Sequence, residues 1–145
     1  MSLPIDLNFE YEKPNATRRG KMRTPASIYL AKANGSGGIL FISQDWLDSN
    51  GINGNEIAMQ VRDAENTFII FYPPKNAPRF QRRAESPKKN TVAYSCTDSV
   101  RKMLDAFGYS DKTGAELWLE KVGTFKESTV CRLRKIQSDD ILYQF

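Results

Sequence analysis

The period of hydrophobic positions changes several times along this chain, and each change marks an element. Leu3, Ile5, Leu7, Phe9 and Tyr11 alternate with Asp6, Asn8, Glu10 and Glu12, the period of two of a half-buried strand over residues 3–12. The following stretch, KPNATRRGKMRTP, is bounded by Pro14 and Pro25 and has no apolar period, which predicts a loop. Two β-prone runs, SIYLAKA at 27–33 and ILFIS at 39–43, flank NGSGG and predict a hairpin. A short helix should follow, with Ser43 as its cap, Asp45 in its first turn, Trp46, Leu47 and Asn50 facing inward and Gly51 ending it. EIAMQV and TFIIFY then bracket RDAEN as a second hairpin.

From residue 78 the same order of elements returns. RFQRRA, a turn through ESPKKN, and TVAYS predict a hairpin. Next comes a helix capped by Thr97, with Val100, Met103, Leu104 and Phe107 on one face and Gly108 at its end. AELWLE, a turn through KVGTFKES, and TVCRLRK complete the series. Gly51-Ile52 answers to Gly108-Tyr109, and the string beginning Gly54-Asn55-Glu56-Ile57 answers to Gly114-Ala115-Glu116-Leu117. The sequence thus predicts one domain over 1–145 with an internal repeat, about 26–74 and about 78–136. A strand at 3–12 and another at 141–145 flank the repeats; they either pair with each other or add to a neighbouring molecule's sheet. The expected fold class is α+β, mostly antiparallel, with two hairpin-helix-hairpin units forming one intramolecular barrel with two short helices. One unit cannot bury both faces of runs such as ILFI and FIIFY, whereas two folded together can.

The stretch GILFISQDWLDSNGINGNEIAMQV resembles the swapped-hairpin, AbrB-like fold. That family's pattern runs Gly-Arg-apolar-x-apolar-Pro, a short amphipathic helix, Leu-Gly-Ile, a turn, Gly-Asp-x-apolar and a closing hairpin. The resemblance covers residues 26–74 well and 78–136 loosely. The tandem arrangement also resembles small uncharacterised bacterial proteins built of two such units. The AbrB-like resemblance implies that two units interleave into a small barrel and that the protein binds DNA, as most members of that family do; the tandem match implies no function. This chain departs from the pattern with Gly37-Gly38 and Lys89-Asn90 in place of Gly-Arg, and with Ser43 in place of the helix-start Pro.

Composition narrows the chemistry. The chain has no histidine and only two cysteines, Cys96 and Cys131. That removes histidine-based acid/base and nucleophile pairs and the four-ligand zinc sites. In a reducing compartment the thiols read as small buried hydrophobes. NGSGG lacks the Lys-Ser/Thr of a phosphate-binding P-loop, and Asp139-Asp140 read as solvated charges. The expectation is a non-enzymatic protein with no catalytic residue, cofactor or metal. No run of about 18 apolar residues and no basic-then-apolar leader occurs, so the expected location is cytoplasmic, away from membranes.

Charge is where a functional surface suggests itself. The net charge is +4, yet residues 13–25 carry +5 and residues 73–89 another +5, so all the excess lies in two connecting segments. The candidate nucleic-acid-binding residues are Arg18, Arg19, Lys21 and Arg23 in the first, and Lys75, Arg79, Arg82, Arg83, Lys88 and Lys89 in the second. Clustered Arg and Lys neutralise phosphates, and Phe80 within the second segment offers a face for base stacking. The competing readings are a hydrated loop for the first segment and a charge-protected edge strand for the second. If both fall on one face they form a single electrostatic footprint. The alternative partner is another protein, or a second copy, at exposed strand edges; such an assembly module could be encoded on a mobile element.

Overall fold

In a computed structural model the described residues are 22–31 and 37–140. The strands expected at 3–12 and 141–145, and the candidates Arg18, Arg19 and Lys21, lie outside them. The order of elements is β1 (Ala26–Tyr29), β2 (Ile39–Ser43), α1 (Gln44–Ser49), β3 (Glu56–Val61), β4 (Thr67–Phe71), β5 (Phe80–Gln81), β6 (Thr91–Ser95), α2 (Thr97–Ala106), β7 (Gly114–Phe125) and β8 (Ser128–Arg134). The fold is α+β, with antiparallel strands in the order β5-β3-β4-β8-β7-β1-β2-β6. A bridge between Arg82 and Tyr94 brings the two ends of that order together, so the sheet is a nearly closed barrel.

The pairing scheme is unchanged when β1, β2, β3 and β4 are exchanged with β5, β6, β7 and β8. β3 meets β5 as β7 meets β1: Ile57 faces Phe80, and Leu117 faces Ala26. Two residues further on, Arg82 faces Tyr94 as Ile28 faces Leu40. Leu40 and Tyr94, counterparts under this exchange, also face each other across β2 and β6. In the same way Ala58 faces Ile70 as Trp118 faces Arg134, and two residues back the counterparts Phe68 and Arg132 face each other across β4 and β8.

Alternation along these strands sends one face inward. Leu40, Ile42, Ile57, Ile69, Phe71, Tyr94, Leu117, Leu119, Cys131 and Leu133 are all buried in one core that also takes in Trp46 and Phe107. Burying each large apolar side chain contributes about 1.5–3 kcal/mol, and strands from both halves supply them. The helices cover this core. α1 packs on β2 and β6, with Trp46 6.1 Å from the Phe71 ring, and α2 packs on β2 and β3. Ser43 caps α1 by accepting from the Trp46 amide at 3.3 Å, and Gly51 and Gly108 take left-handed φ values of 64° and 77° just beyond the helix ends.

Three local expectations need correction, and a fourth is narrowed. Thr97 does not cap α2: it is the first helical residue, the N-cap is Cys96, and Thr97 Oγ1 instead accepts from the Gly38 amide at 3.0 Å. β1 stops at Tyr29, short of the expected 33. β5 is only Phe80–Gln81; beyond it the Arg82 amide still donates to Asn55 O, while Arg82 bridges Tyr94 and the Arg83 amide donates to Ala93 O of β6. The final hairpin does reverse within KVGTFKES, but only at its Lys126 and Glu127: β7 runs to Phe125, with an irregularity between Lys121 and Gly123 that leaves Val122 out of the pairing.

Candidate nucleic-acid interface

On the outward face of β1, β2 and β7, Ser27 sits in register between Phe41 and Glu116. Phe41 in turn faces Ala93 of β6, and with Met22 these residues form a small apolar cluster separate from the main core. Charged groups from both basic segments settle on this patch. Arg23, three residues ahead of β1, places Nη2 2.9 Å from Glu116 Oε2. Lys88 reaches in from the β5–β6 connection and holds Nζ 4.7 Å from the centre of the Phe41 ring, a cation–π distance.

The connection carrying Lys88 is tied down by its own hydroxyls. Thr91 Oγ1 donates to Lys88 O at 2.8 Å, the Ser86 and Thr91 hydroxyls lie 2.6 Å apart, and the Lys88 amide donates to Ser86 Oγ. Burial against Phe41 pushes the Lys88 ammonium below the ordinary lysine pKa, and the Glu116 carboxylate opposes that shift. Arg23 pairs with Glu116 and Lys88 lies within the field of the same carboxylate, so the group of three keeps a net positive charge. Ser27 Oγ in the same face is buried and has no hydrogen-bond partner among the described residues.

The remaining candidates divide. Arg79 lies elsewhere on the barrel, with Nη1 2.7 Å from Glu56 Oε2 and Nη2 on Pro74 O, so it clasps the turn before β5. Glu56 and Glu116 are counterparts in the strand exchange, and each holds an arginine from the segment leading into the strand beside it. Arg82, Arg83 and Lys89 are exposed on the β5–β6 connection, the same connection that carries Lys88. Lys75 is exposed beside Pro74 and lines a cleft of about 380 Å3 with Tyr72, Phe125 and Lys126. Phe80 packs against the main core, so it is not a stacking face.

A second cationic region escaped the sequence reading. Arg132 and Arg134 point outward from β8 beside Glu120 and, with Lys135, Glu65 and Gln137, line a cleft of about 590 Å3. Arg134 makes two 2.9 Å hydrogen bonds to Asp140 and a 3.1 Å contact with Glu120, while Arg132 Nε donates to Glu65 O and its guanidinium lies over Phe68. Its acids match its bases, and the Arg134 guanidinium holds the Asp140 carboxyl below its ordinary range. This region reads as a clasp on the chain after β8, which the alternation in TVCRLRK could have signalled.

Among the described residues no group of three or more His, Cys, Asp or Glu could hold a metal ion. Burial pushes the Cys96 thiol up to about 11 and that of Cys131 to about 12, so neither is a nucleophile at neutral pH. No helix among them is long and apolar enough to cross a membrane. The chain matches no family model, and comparison with curated proteins and with solved structures found no match either.

Proposed function

We propose that this chain is a fused pair of AbrB-like swapped-hairpin units acting as a non-enzymatic binding protein, whose basic face takes the phosphate backbone of nucleic acid. The exchange of strands between the halves supports the paired-unit reading. The observation that supports the functional one is that Arg23, paired with Glu116, and Lys88, over Phe41, flank Ser27 from its two sides, one residue from each basic segment. Arg82, Arg83 and Lys89 extend the positive charge along the adjoining connection. Each phosphate neutralised releases counterions, so affinity should fall steeply with salt. Titrating mixed-sequence duplex DNA and single-stranded RNA at rising salt tests the reading: absence of binding at low ionic strength rejects it.

A second reading, a protein-interaction module, is favoured by the tip of the β7–β8 hairpin. Phe125 is 69% exposed and faces Tyr72, itself 42% exposed, across the cleft that also holds Pro73 and Pro74. It predicts self-association or a co-purifying protein that is lost in Phe125→Ser; a strictly monomeric, partner-free species in sedimentation rejects it.

A further inference from the structure

The two equivalent ion pairs are built differently. Glu56–Arg79 is the more covered, with side-chain exposures of 36% and 30%, and its arginine has a second bond to Pro74 O. Glu116–Arg23 is more open, at 44% and 56%, and among the described residues rests on a single hydrogen bond. Exposed pairs of that kind contribute little and exchange readily for another anion. Beside it stand an ammonium held on a hydrogen-bonded connection and a buried serine hydroxyl with no partner among the described residues, an arrangement that costs stability where it serves only the fold.

We infer that Arg23, Lys88 and Ser27 form a site for a phosphate oxyanion, with Glu116 as the resident counter-ion that the phosphate displaces. The inference deepens the nucleic-acid reading by naming the group bound and the residues that take it. A phosphate oxygen would replace the Glu116 carboxylate on Arg23 and lie within the field of Lys88, and the displacement of Glu116, which faces Ser27 across β1 and β7, would uncover the enclosed Ser27 Oγ to donate to it. Glu116 thereby sets the affinity: it orders the basic side chains and competes for them.

The test uses the full chain and two probes, inorganic pyrophosphate and a mixed-sequence duplex DNA, each titrated at low salt with wild type, Glu116→Gln, Ser27→Ala and the control Glu56→Gln. Glu116→Gln should bind pyrophosphate about two- to fivefold more tightly. Ser27→Ala should bind it about threefold more weakly while folding at least as stably, since an unpartnered hydroxyl is removed. Glu56→Gln should bind like wild type. Equal or weaker pyrophosphate binding by Glu116→Gln, unchanged affinity in Ser27→Ala, or no binding by any variant overturns the inference. The same shifts on DNA identify the backbone phosphate as the source. Pyrophosphate shifts without DNA binding leave the site standing and reject the nucleic-acid reading; DNA binding indifferent to Glu116→Gln does the reverse.

Discussion

The Tyr94 hydroxyl, buried in the core on β6, donates its hydrogen bond to the carbonyl oxygen of Gly54, in the turn that leads from α1 into β3. This bond joins the two halves at the strand pair where Leu40 meets its counterpart. A Cβ on residue 54 would lie 2.6 Å from the Tyr94 oxygen and 3.2 Å from Leu47 Cδ1, so the glycine is a packing requirement. Tyr94→Phe leaves a buried carbonyl unsatisfied and should cost about 1–3 kcal/mol. Gly54→Ala forces the tyrosine away and should cost about the same or more. Urea unfolding of both variants measures this, and a cost under about 0.5 kcal/mol would show that the bond carries no weight.

The two arginine–glutamate pairs should separate binding from stability. Arg79→Ala removes a clasp on the turn before β5, so it should lower the urea midpoint with little effect on nucleic-acid affinity. Arg23→Ala, and more strongly Arg82→Ala combined with Arg83→Ala, should weaken binding and flatten its dependence on salt, by about one in log-log slope for each phosphate no longer neutralised. Unfolding curves and salt titrations on the same preparations distinguish the two behaviours.

Acid should loosen the chain beyond β8 first. Arg134 holds the Asp140 carboxyl below its ordinary value of 3.8. A depressed carboxylate stabilises the fold above that ordinary value, and the contribution is lost as pH falls through the lower, folded one. Asp140→Asn should therefore lower stability at neutral pH and make the decline below about pH 4 shallower. Thermal midpoints of the two proteins, measured from about pH 2 to about pH 7, report the difference. Parallel curves would count against the clasp.

The thiols give an independent check on the core. Cys96 and Cys131 are buried, with pKa values pushed up by desolvation to about 11 and about 12. Alkylation at about pH 8 should leave both unmodified in the native protein and label both in denaturant. Rapid native labelling of either would place it outside the core.

Much of the barrel was legible because local signals agreed. Ser43, Trp46, Leu47 and Gly51 marked α1 within a residue or two, and Val100, Met103, Leu104 and Phe107 marked the buried face of α2. Where the reading failed, a tertiary contact or a tolerant turn overrode the local cue. Thr97 looked like a cap, but its hydroxyl accepts from the amide of Gly38, just ahead of β2. The turn expected through KVGTFKES falls only at its Lys126 and Glu127, at a left-handed Lys126 φ of 56° that no glycine advertises, while Gly123 sits within β7. The basic face was half legible: the charged segments were plain, but nothing local ties Arg23 to Glu116, or leaves Ser27 without a partner, until the strands are registered. Phe80 was misread because its charged neighbours hid an inward-facing position.

Strand pairing between the halves is the claim on which the core and the shared basic face both rest, and backbone nuclear Overhauser effects measure it directly. Cross-strand effects should join Leu40 to Tyr94 and Phe68 to Arg132 in the same sample. If β1 to β4 pair only among themselves, with neither effect seen, the account is wrong.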